Sequence, residues 1–325
     1  MSSGNNLNLR GALLALAAMG LYATHDVVVK VLGRTYSPIQ IVFFGALLSF
    51  PLVSIISLAD RDGGRLWPRQ PIWVMLRSVC MVLTSVSAFY AFTVLPLAQT
   101  YAILFATPLL VTLMSIPFLG EHVGLHRLGA TVLGLVGVLV VLRPGQEALS
   151  AGHLSALLSA VTGALASVIA RRIGPTERPL VMLVFPMLGN VVVMGALLPL
   201  VYLPMPFADL GLSGIIAVLG LGAALMVILA FRAGEAVIVA PMQYSQILWA
   251  TVYGYLLFDE PLDGATFAGA SIIIASGIYI VLREALSNRS RTRPAMNTGA
   301  RNETVTTPRL NPLARILGLP PRQDR

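Results

Sequence analysis

Residues 88–143 decide the fold: they read AFYAFTVLPLAQTYAILFATPLLVTLMSIPFLGEHVGLHRLGATVLGLVGVLVVLR. Two long apolar runs lie on either side of a short polar segment that contains Glu121. The run from Ala130 to Leu142 shows none of the apolar–polar alternation that the strand of a membrane β-barrel needs. A bilayer core about 30 Å thick is crossed by about 20 apolar residues in a helix. The stretch therefore predicts membrane-spanning α-helices.

The rest of the chain repeats this pattern. The 325 residues are 56% hydrophobic and 11% charged, with a mean hydropathy of +0.81. A soluble domain carries roughly 25% charged residues, so this chain lacks the polar surface of one. We predict an all-α integral membrane protein of ten transmembrane helices, at about 11–32, 38–59, 71–94, 96–118, 125–142, 152–172, 179–202, 210–231, 236–258 and 264–282.

The positive charge of the chain follows the topology of these helices. The net charge is +8, but Lys30 is the only lysine, so we predict no nucleic-acid partner. With the N-terminus in the cytoplasm, Arg34 and Arg143 lie in loops on the opposite side. The cytoplasmic loops then hold Arg61, Arg65, Arg69, Arg127, Arg171, Arg172, Arg178 and Arg232. This bias predicts cytoplasmic N- and C-termini.

The chain also contains an internal repeat. A shift of 139 residues places Gly120-Glu121 on Asp259-Glu260, a substitution that we expect to remove a glycine turn. The repeat unit holds five helices, and an odd number inverts the second copy, as in secondary transporters. We predict a cytoplasmic N-terminus (1–10), two inverted halves around a central cavity (11–145 and 146–284) and a disordered Arg/Pro-rich tail (285–325).

These residues resemble the EamA domain of the drug/metabolite transporter superfamily. The features are an A-x-x-x-x-P region entering the fourth helix, the Gly-Glu before the fifth, and a glycine-spaced fifth helix ending in Arg-Pro-Gly. Residues 231–283 resemble the same segment of a second domain, including APMQY at 240–244. The resemblance covers roughly residues 10–284. It implies ten helices, cytoplasmic termini, and export or uptake of metabolites by alternating access.

The first predicted helix carries the most conspicuous polar group, Tyr22, His25, Asp26 and Lys30. Asp26 and Lys30 are four residues apart and share one helix face with Tyr22. Polar groups at this depth are costly unless they are partnered or functional. Two interpretations stay open: a substrate- or proton-binding group in the cavity, or an internal ion pair with Lys30 reaching outward. His25 and Asp26 are the candidates for proton coupling.

The ninth predicted helix combines amides with aromatic rings. Gln243, Gln246 and Tyr253 share a face on an ideal helix, which suits a flat organic solute, although hydrogen bonding between helices is the alternative. We expect Pro108 to free the carbonyl of Leu104, which would either kink the fourth helix or expose a polar atom to the cavity. The predicted substrate-binding residues are Asp26, His25, Tyr22, Tyr90, Tyr101, Gln243, Gln246 and Trp249.

Structural roles are expected for the other conspicuous residues. Arg77 is expected to extend to lipid headgroups. Glu121 and Glu260 are expected to cap loops on opposite sides of the membrane. Cys80 is expected to be buried. Close helix contacts are predicted at Gly129, Gly134, Gly137, Gly269 and Gly277.

Several function classes lack their signatures in this sequence. No Gly-Lys-Ser/Thr phosphate loop is present, which excludes an ATP-driven pump of that type. No H-E-x-x-H motif occurs, and we predict no metal, cofactor or catalytic residue. Together with the family resemblance, these absences lead us to predict a secondary transporter for a small organic metabolite in a bacterial inner membrane. The Asp-x-x-x-Lys pattern is similar to family members that take up riboflavin or S-adenosylmethionine. Export of amino acids or drugs is the alternative, and a membrane enzyme or channel is the alternative from another class.

Overall fold

A computed structural model describes residues 2–58, 67–121, 123–144 and 149–286 of the chain. Arg61, Arg65 and His122 lie outside the described residues, as does the tail from residue 287 onward. What the sequence predicts for these residues stays a prediction.

The described residues fold into helices joined by short loops. Pro71 and Pro179 open two of them, where a missing backbone N–H costs nothing. Short 3-10 turns occupy Leu198–Leu200 and Ala240–Tyr244. The α-helices are α1 Ser2–Leu32, α2 Pro38–Leu58, α3 Pro71–Val94, α4 Leu97–Leu104, α5 Ala106–Leu119, α6 Leu125–Leu142, α7 Ala151–Ile173, α8 Pro179–Leu197, α9 Phe207–Ala233, α10 Ala236–Val239, α11 Ser245–Phe258 and α12 Gly264–Leu286.

Eight helical segments are long and apolar enough to cross a membrane. They lie in α1, α3, α6, α7, α8, α9 and α12, and in α4 and α5 taken together. The stretch Pro38–Pro51 of α2 is also an apolar helix. The predicted helix limits agree with the observed ones within a few residues, except that α1 starts at Ser2 and two predicted helices are interrupted.

Contacts between loops define the two ends of the helix bundle. At one end, Lys30 in α1 contacts Leu95 after α3, and Gly152 at the start of α7 packs against Leu95. At the opposite end, Arg171 in α7 pairs with Glu121 after α5. We call these the Lys30 end and the Arg171 end.

The bundle is apolar inside and outside. Phe92, Ile103 and Ile247 belong to the main buried cluster. Leu139 on α6 and Leu256 on α11 are 54% and 67% exposed, the arrangement expected where hydrocarbon rather than water surrounds a protein.

Glycines bring α6 and α12 into close contact. A Cβ atom at Gly137 would lie 2.8 Å from the Gly269 carbonyl oxygen, and one at Gly269 would lie 2.5 Å from the Gly137 oxygen. Gly134 and Gly277 also face neighbouring side chains closely, so four predicted contacts are confirmed. The prediction for Gly129 is wrong, because a Cβ atom there would meet nothing within 4 Å.

Two further predictions need correction. Asp259 takes the left-handed conformation (φ 53°) just as Gly120 does (φ 66°), so the turn is kept although the glycine is lost. Arg77 is only 2% exposed and donates a 2.7 Å hydrogen bond from Nη1 to the Met182 carbonyl oxygen. It therefore ties α3 to α8 instead of reaching for lipid headgroups.

Candidate functional site

A cavity of about 150 Å³ lies among the helices, at the level where α4 gives way to α5. Helices from both predicted halves contribute to its wall. Aromatic rings supply much of the lining, from Tyr22, Phe89, Phe92, Tyr101 and Phe105. Hydroxyl, amide and imidazole groups are interspersed, from His25, Thr84, Ser85, Thr107, Ser159, Asn190 and Gln246. Such a wall suits a partly flat organic molecule with a few polar groups.

The Asp26 carboxylate lies directly behind this wall. It is completely buried in α1 and accepts a hydrogen bond from the Tyr101 hydroxyl in α4. His25 Nδ1 lies 2.8 Å from the other carboxylate oxygen of Asp26. The His25 ring also packs edge-on against Phe89, with centroids 5.9 Å apart. Through these contacts, Asp26 is linked to the cavity by two residues that line it.

Two amides have polar atoms with no hydrogen-bond partner among the described residues. They are Gln246 Nε2, in a side chain only 3% exposed, and Asn190 Oδ1, and both residues line the cavity. The Asn190 Nδ2 group donates a 3.4 Å hydrogen bond to Ser85 Oγ. A buried amide atom without a partner is costly, so both atoms are suited to bind a polar group of a solute.

The structure brings some of the predicted site residues together and separates others. Tyr22, His25, Tyr101 and Gln246 line the cavity, and Asp26 contacts two of them. The lining residues do not include Trp249, which packs on α1 at Gly20 and stacks with Tyr253, nor do they include Tyr90 or Gln243. The predicted shared face of Gln243 and Gln246 assumed one continuous helix, but a 3-10 turn ends between them.

Both interrupted helices break beside the cavity. The α4–α5 helix breaks at Phe105, three residues before Pro108, which confirms the predicted kink. The second break, where the 3-10 turn meets α11, falls at Tyr244. The rings of Phe105 and Tyr244 contact each other, with centroids 5.0 Å apart.

Lys30 pairs with Glu260 rather than with Asp26, which argues against an ion pair within α1, one of the two interpretations that the sequence left open. Its Nζ lies 2.5 Å from Glu260 Oε1 and donates a 2.6 Å hydrogen bond to the Leu95 carbonyl oxygen. At the other end of the bundle, Glu121 pairs with Arg171. Both glutamates therefore bind basic residues on distant helices. The capping role predicted for them agrees with Glu260, which accepts a hydrogen bond from the Leu97 backbone N–H at the start of α4. For Glu121 capping stays a prediction.

Several residues of the site escape the sequence patterns. Asn190 could have been found as a single amide in the otherwise apolar α8, since such groups mark functional positions in membranes. Phe89 and Phe105 carry no such signal, because phenylalanine is as common on lipid-facing surfaces as it is in the wall of a cavity. Their place in the cavity wall depends on how distant helices pack.

Comparison with known proteins places this site in context. The chain is 24% identical to the S-adenosylmethionine uptake transporter of Rickettsia prowazekii (strain Madrid E), over 87% of this chain and 96% of that protein. It is 28% identical to the pseudopaline exporter CntI of Pseudomonas aeruginosa (strain UCBPP-PA14), over 83% of this chain and 95% of that protein. It is 26% identical to the riboflavin transporter of Rhizobium johnstonii (strain DSM 114642 / LMG 32736 / 3841), over 74% and 78%.

A protein of known crystal structure shares the fold. It is 17% identical in sequence, with a TM-score of 0.58 over 88% of this chain and 100% of the other.

The description "EamA-like transporter family" fits the chain twice, over residues 9–143 and 150–283. These two matches cover most of the sequence. The apolar helices agree with a multi-pass protein of the inner membrane. The chain therefore belongs to the EamA-like transporter family and is a small-molecule transporter.

Proposed function

We propose that this chain is a secondary carrier that moves a small organic solute across the inner membrane by alternating access. Two inverted five-helix halves would open in turn to either side of the membrane. The cavity is the observation that carries this proposal. Helices of both halves line it, and the two broken helices meet beside it through Phe105 and Tyr244. A solute bound there would lie between the moving parts.

Ten membrane crossings are the simplest path for this chain. Besides the eight long segments, α2 has 21 residues, about 31 Å of helix at 1.5 Å per residue. The α10 helix, the 3-10 turn and α11 together run from Ala236 to Phe258. If α2 and the run from Ala236 to Phe258 each cross the membrane, the chain has ten crossings and ends on the side where it began. The arginine bias then favours cytoplasmic termini.

The packing of the helices supports two inverted halves. If the second half repeats the first, α7 to α12 correspond in order to α1 to α6. The contacts follow this correspondence: α3 packs on α7 as α9 packs on α1, α3 packs on α8 as α9 packs on α2, and α5 packs on α7 as α11 packs on α1. Five crossings in each half would make the two copies antiparallel in the membrane.

The solute is expected to be a flat metabolite with polar edges. Aromatic rings can stack on such a molecule, while Gln246 and Asn190 bind its polar groups. We propose uptake of a riboflavin-like or S-adenosylmethionine-like solute, which agrees with two of the relatives. Export is the alternative to uptake, and the similarity to the pseudopaline exporter supports this alternative.

Proton coupling would use the carboxylate behind the cavity. Asp26, His25 and Tyr101 form a continuous hydrogen-bonded set that reaches the cavity wall. Histidine changes its charge near physiological pH, so a proton could be exchanged there as the solute binds.

Counterflow in liposomes tests the proposed function. Purified protein is reconstituted into liposomes that are preloaded with unlabelled S-adenosylmethionine or riboflavin, and the labelled solute is added outside. A carrier should accumulate label transiently and faster than in empty liposomes, because the loaded carrier returns more readily. A panel of amino acids tests the export alternative. Equal entry into loaded and empty liposomes would indicate a channel, and entry of no solute from either set would contradict these substrate classes.

A further inference from the structure

We propose that two ion pairs, Lys30–Glu260 and Arg171–Glu121, act as matched latches of the transport cycle. Each latch closes one end of the cavity, and the two open in turn. This inference rests on the proposed carrier function. It assigns a role to four charged residues that lie outside the cavity wall.

The two latches occupy equivalent positions in the two halves. Lys30 and Arg171 each lie in the last turn of their helices, α1 and α7, two residues before the helix ends. Glu121 and Glu260 each lie two residues after the ends of α5 and α11, directly behind a residue in the left-handed conformation. The same pairing therefore occurs twice, once at each end of the bundle.

Each latch joins one half to the other. Lys30 belongs to the first half and binds a glutamate of the second. Arg171 belongs to the second half and binds a glutamate of the first. Separating the halves at one end would therefore break one pair and leave the other intact. This is the requirement for opening a cavity to one side at a time.

In the latch at the Lys30 end, both carboxylate oxygens of Glu260 and the amino group of Lys30 have partners. Glu260 Oε2 accepts a 3.1 Å hydrogen bond from the backbone N–H of Leu97 at the start of α4, while Oε1 binds Lys30. Lys30 also donates to the Leu95 carbonyl oxygen. One carboxylate thus holds the end of α1 and the link between α3 and α4, and the side chains of Lys30 and Glu260 are 9% and 20% exposed.

In the latch at the Arg171 end, one oxygen of Glu121 and one nitrogen of Arg171 make no hydrogen bond to the described residues. Glu121 Oε2 and Arg171 Nη1 are buried, and neither has a hydrogen-bond partner among the described residues. Arg172 beside it donates a 3.1 Å hydrogen bond to the Phe118 carbonyl oxygen. Among the described residues, the Arg171 latch therefore has fewer hydrogen bonds than the Lys30 latch.

A third ion pair provides a matched control. Arg143 and Asp263 also join the two halves at the Lys30 end. However, the Asp263 side chain is 44% exposed, and Gly124 stands at the equivalent position of the first half. This pair therefore has no counterpart at the Arg171 end and is not a latch.

Cysteine accessibility tests the latches without a known solute. The parent carries Cys80→Ser, which removes the only native cysteine, and Ala46→Cys, a reporter in the cavity wall. A membrane-impermeant maleimide is applied to right-side-out and to inverted vesicles, and the labelling rate is measured. Glu260→Gln should raise labelling from the Lys30 end about tenfold, equivalent to about 1.4 kcal/mol, and should not raise it from the other end. Glu121→Gln should do the reverse.

Two further variants test whether a change in labelling comes from the lost ion pair or from misfolding. Lys30→Met should act in the same direction as Glu260→Gln, because it keeps the packing and removes the charge. Glu121→Arg with Arg171→Glu should restore the labelling of the parent, since the swapped pair can form again. The control Asp263→Asn should change labelling less than twofold.

The outcomes separate the latches from the carrier function. If neither glutamine variant changes labelling, while the parent reacts from both sides, the latch proposal is wrong and the carrier proposal stands. If the reporter reacts from one side only in the parent and in every variant, alternating access itself is contradicted.

Discussion

A single buried carboxylate, Asp26, dominates the chemistry of the site. It is held on one side by His25 and on the other by the hydroxyl of Tyr101, 75 residues along the chain. A buried carboxylate is tolerated only when hydrogen bonds satisfy it, and these two residues also line the cavity. The carboxylate is therefore placed to sense whether the cavity is occupied.

Asp26→Asn tests this role. The amide is nearly the same size and can still accept the Tyr101 hydrogen bond, but it cannot exchange a proton. We expect the variant to fold and to lose the response of counterflow to a pH gradient, with a rate at least tenfold lower. The measurement is counterflow at several pH values, together with the thermal unfolding midpoint. Tyr90→Phe, which alters a hydroxyl away from the cavity lining, is the control and should behave as the native chain does. Full transport and unchanged pH dependence in Asp26→Asn would remove Asp26 from the mechanism.

At the scale of the helices, α6 and α12 form the closest packed pair. An alanine at Gly269 would place its Cβ atom 2.5 Å from the Gly137 carbonyl oxygen, and backbone atoms cannot move aside alone. We expect Gly269→Ala to destabilise the protein by about 1–3 kcal/mol, seen as a lower thermal unfolding midpoint in detergent.

Gly129→Ala is the matched control, because Gly129 holds the equivalent position in α6. A Cβ atom there meets nothing within 4 Å. Its unfolding midpoint should be unchanged or slightly higher, since alanine favours helix. Equal destabilisation by both variants would mean that the α6–α12 contact does not set the stability of the bundle.

The sequence predicts the helices well because the bilayer imposes a local rule. Each crossing must satisfy its own backbone hydrogen bonds, so length and apolarity indicate a span without knowledge of its neighbours. The kink before Pro108 was predictable for the same reason, since proline acts on its own helix. The 3-10 turn over Ala240–Tyr244 was missed, and with it the true placement of Gln243.

Pairings between distant residues could not be read from local patterns. Asp26 and Lys30 share a helix face, which left an ion pair between them as one of two interpretations. The structure instead joins Lys30 to Glu260, 230 positions away, and Asp26 to Tyr101. Arg77 was misjudged similarly, because its acceptor lies on α8. The repeat alignment places Glu121 on Glu260, but it does not indicate that their partners are Arg171 and Lys30.

At the scale of the whole molecule, the contacts between the two predicted halves occur in matching pairs. Tyr36 donates a 2.6 Å hydrogen bond to Asp209 at the Lys30 end, and the Gln70 backbone N–H donates to Glu177 at the Arg171 end. The first bond joins the loop after α1 to the start of α9. The second joins the loop after α7 to the start of α3. In both cases the loop follows the first helix of one half, and its partner lies at the start of the third helix of the other half. Matching contacts of this kind are what the proposed alternation between two states requires.

This relation predicts on which side of the membrane equivalent residues lie. Leu125 is the first residue of α6, and Gly264 is the first residue of α12; both are exposed. In a Cys80→Ser background, Leu125→Cys and Gly264→Cys are treated in intact cells with a membrane-impermeant maleimide that can pass the outer membrane. We expect Gly264→Cys to react at once and Leu125→Cys to react only after the inner membrane is permeabilised, because five crossings per half invert the second copy. Reaction of both from the same side would mean parallel halves, and the alternating motion proposed for the cavity would lose its geometric basis.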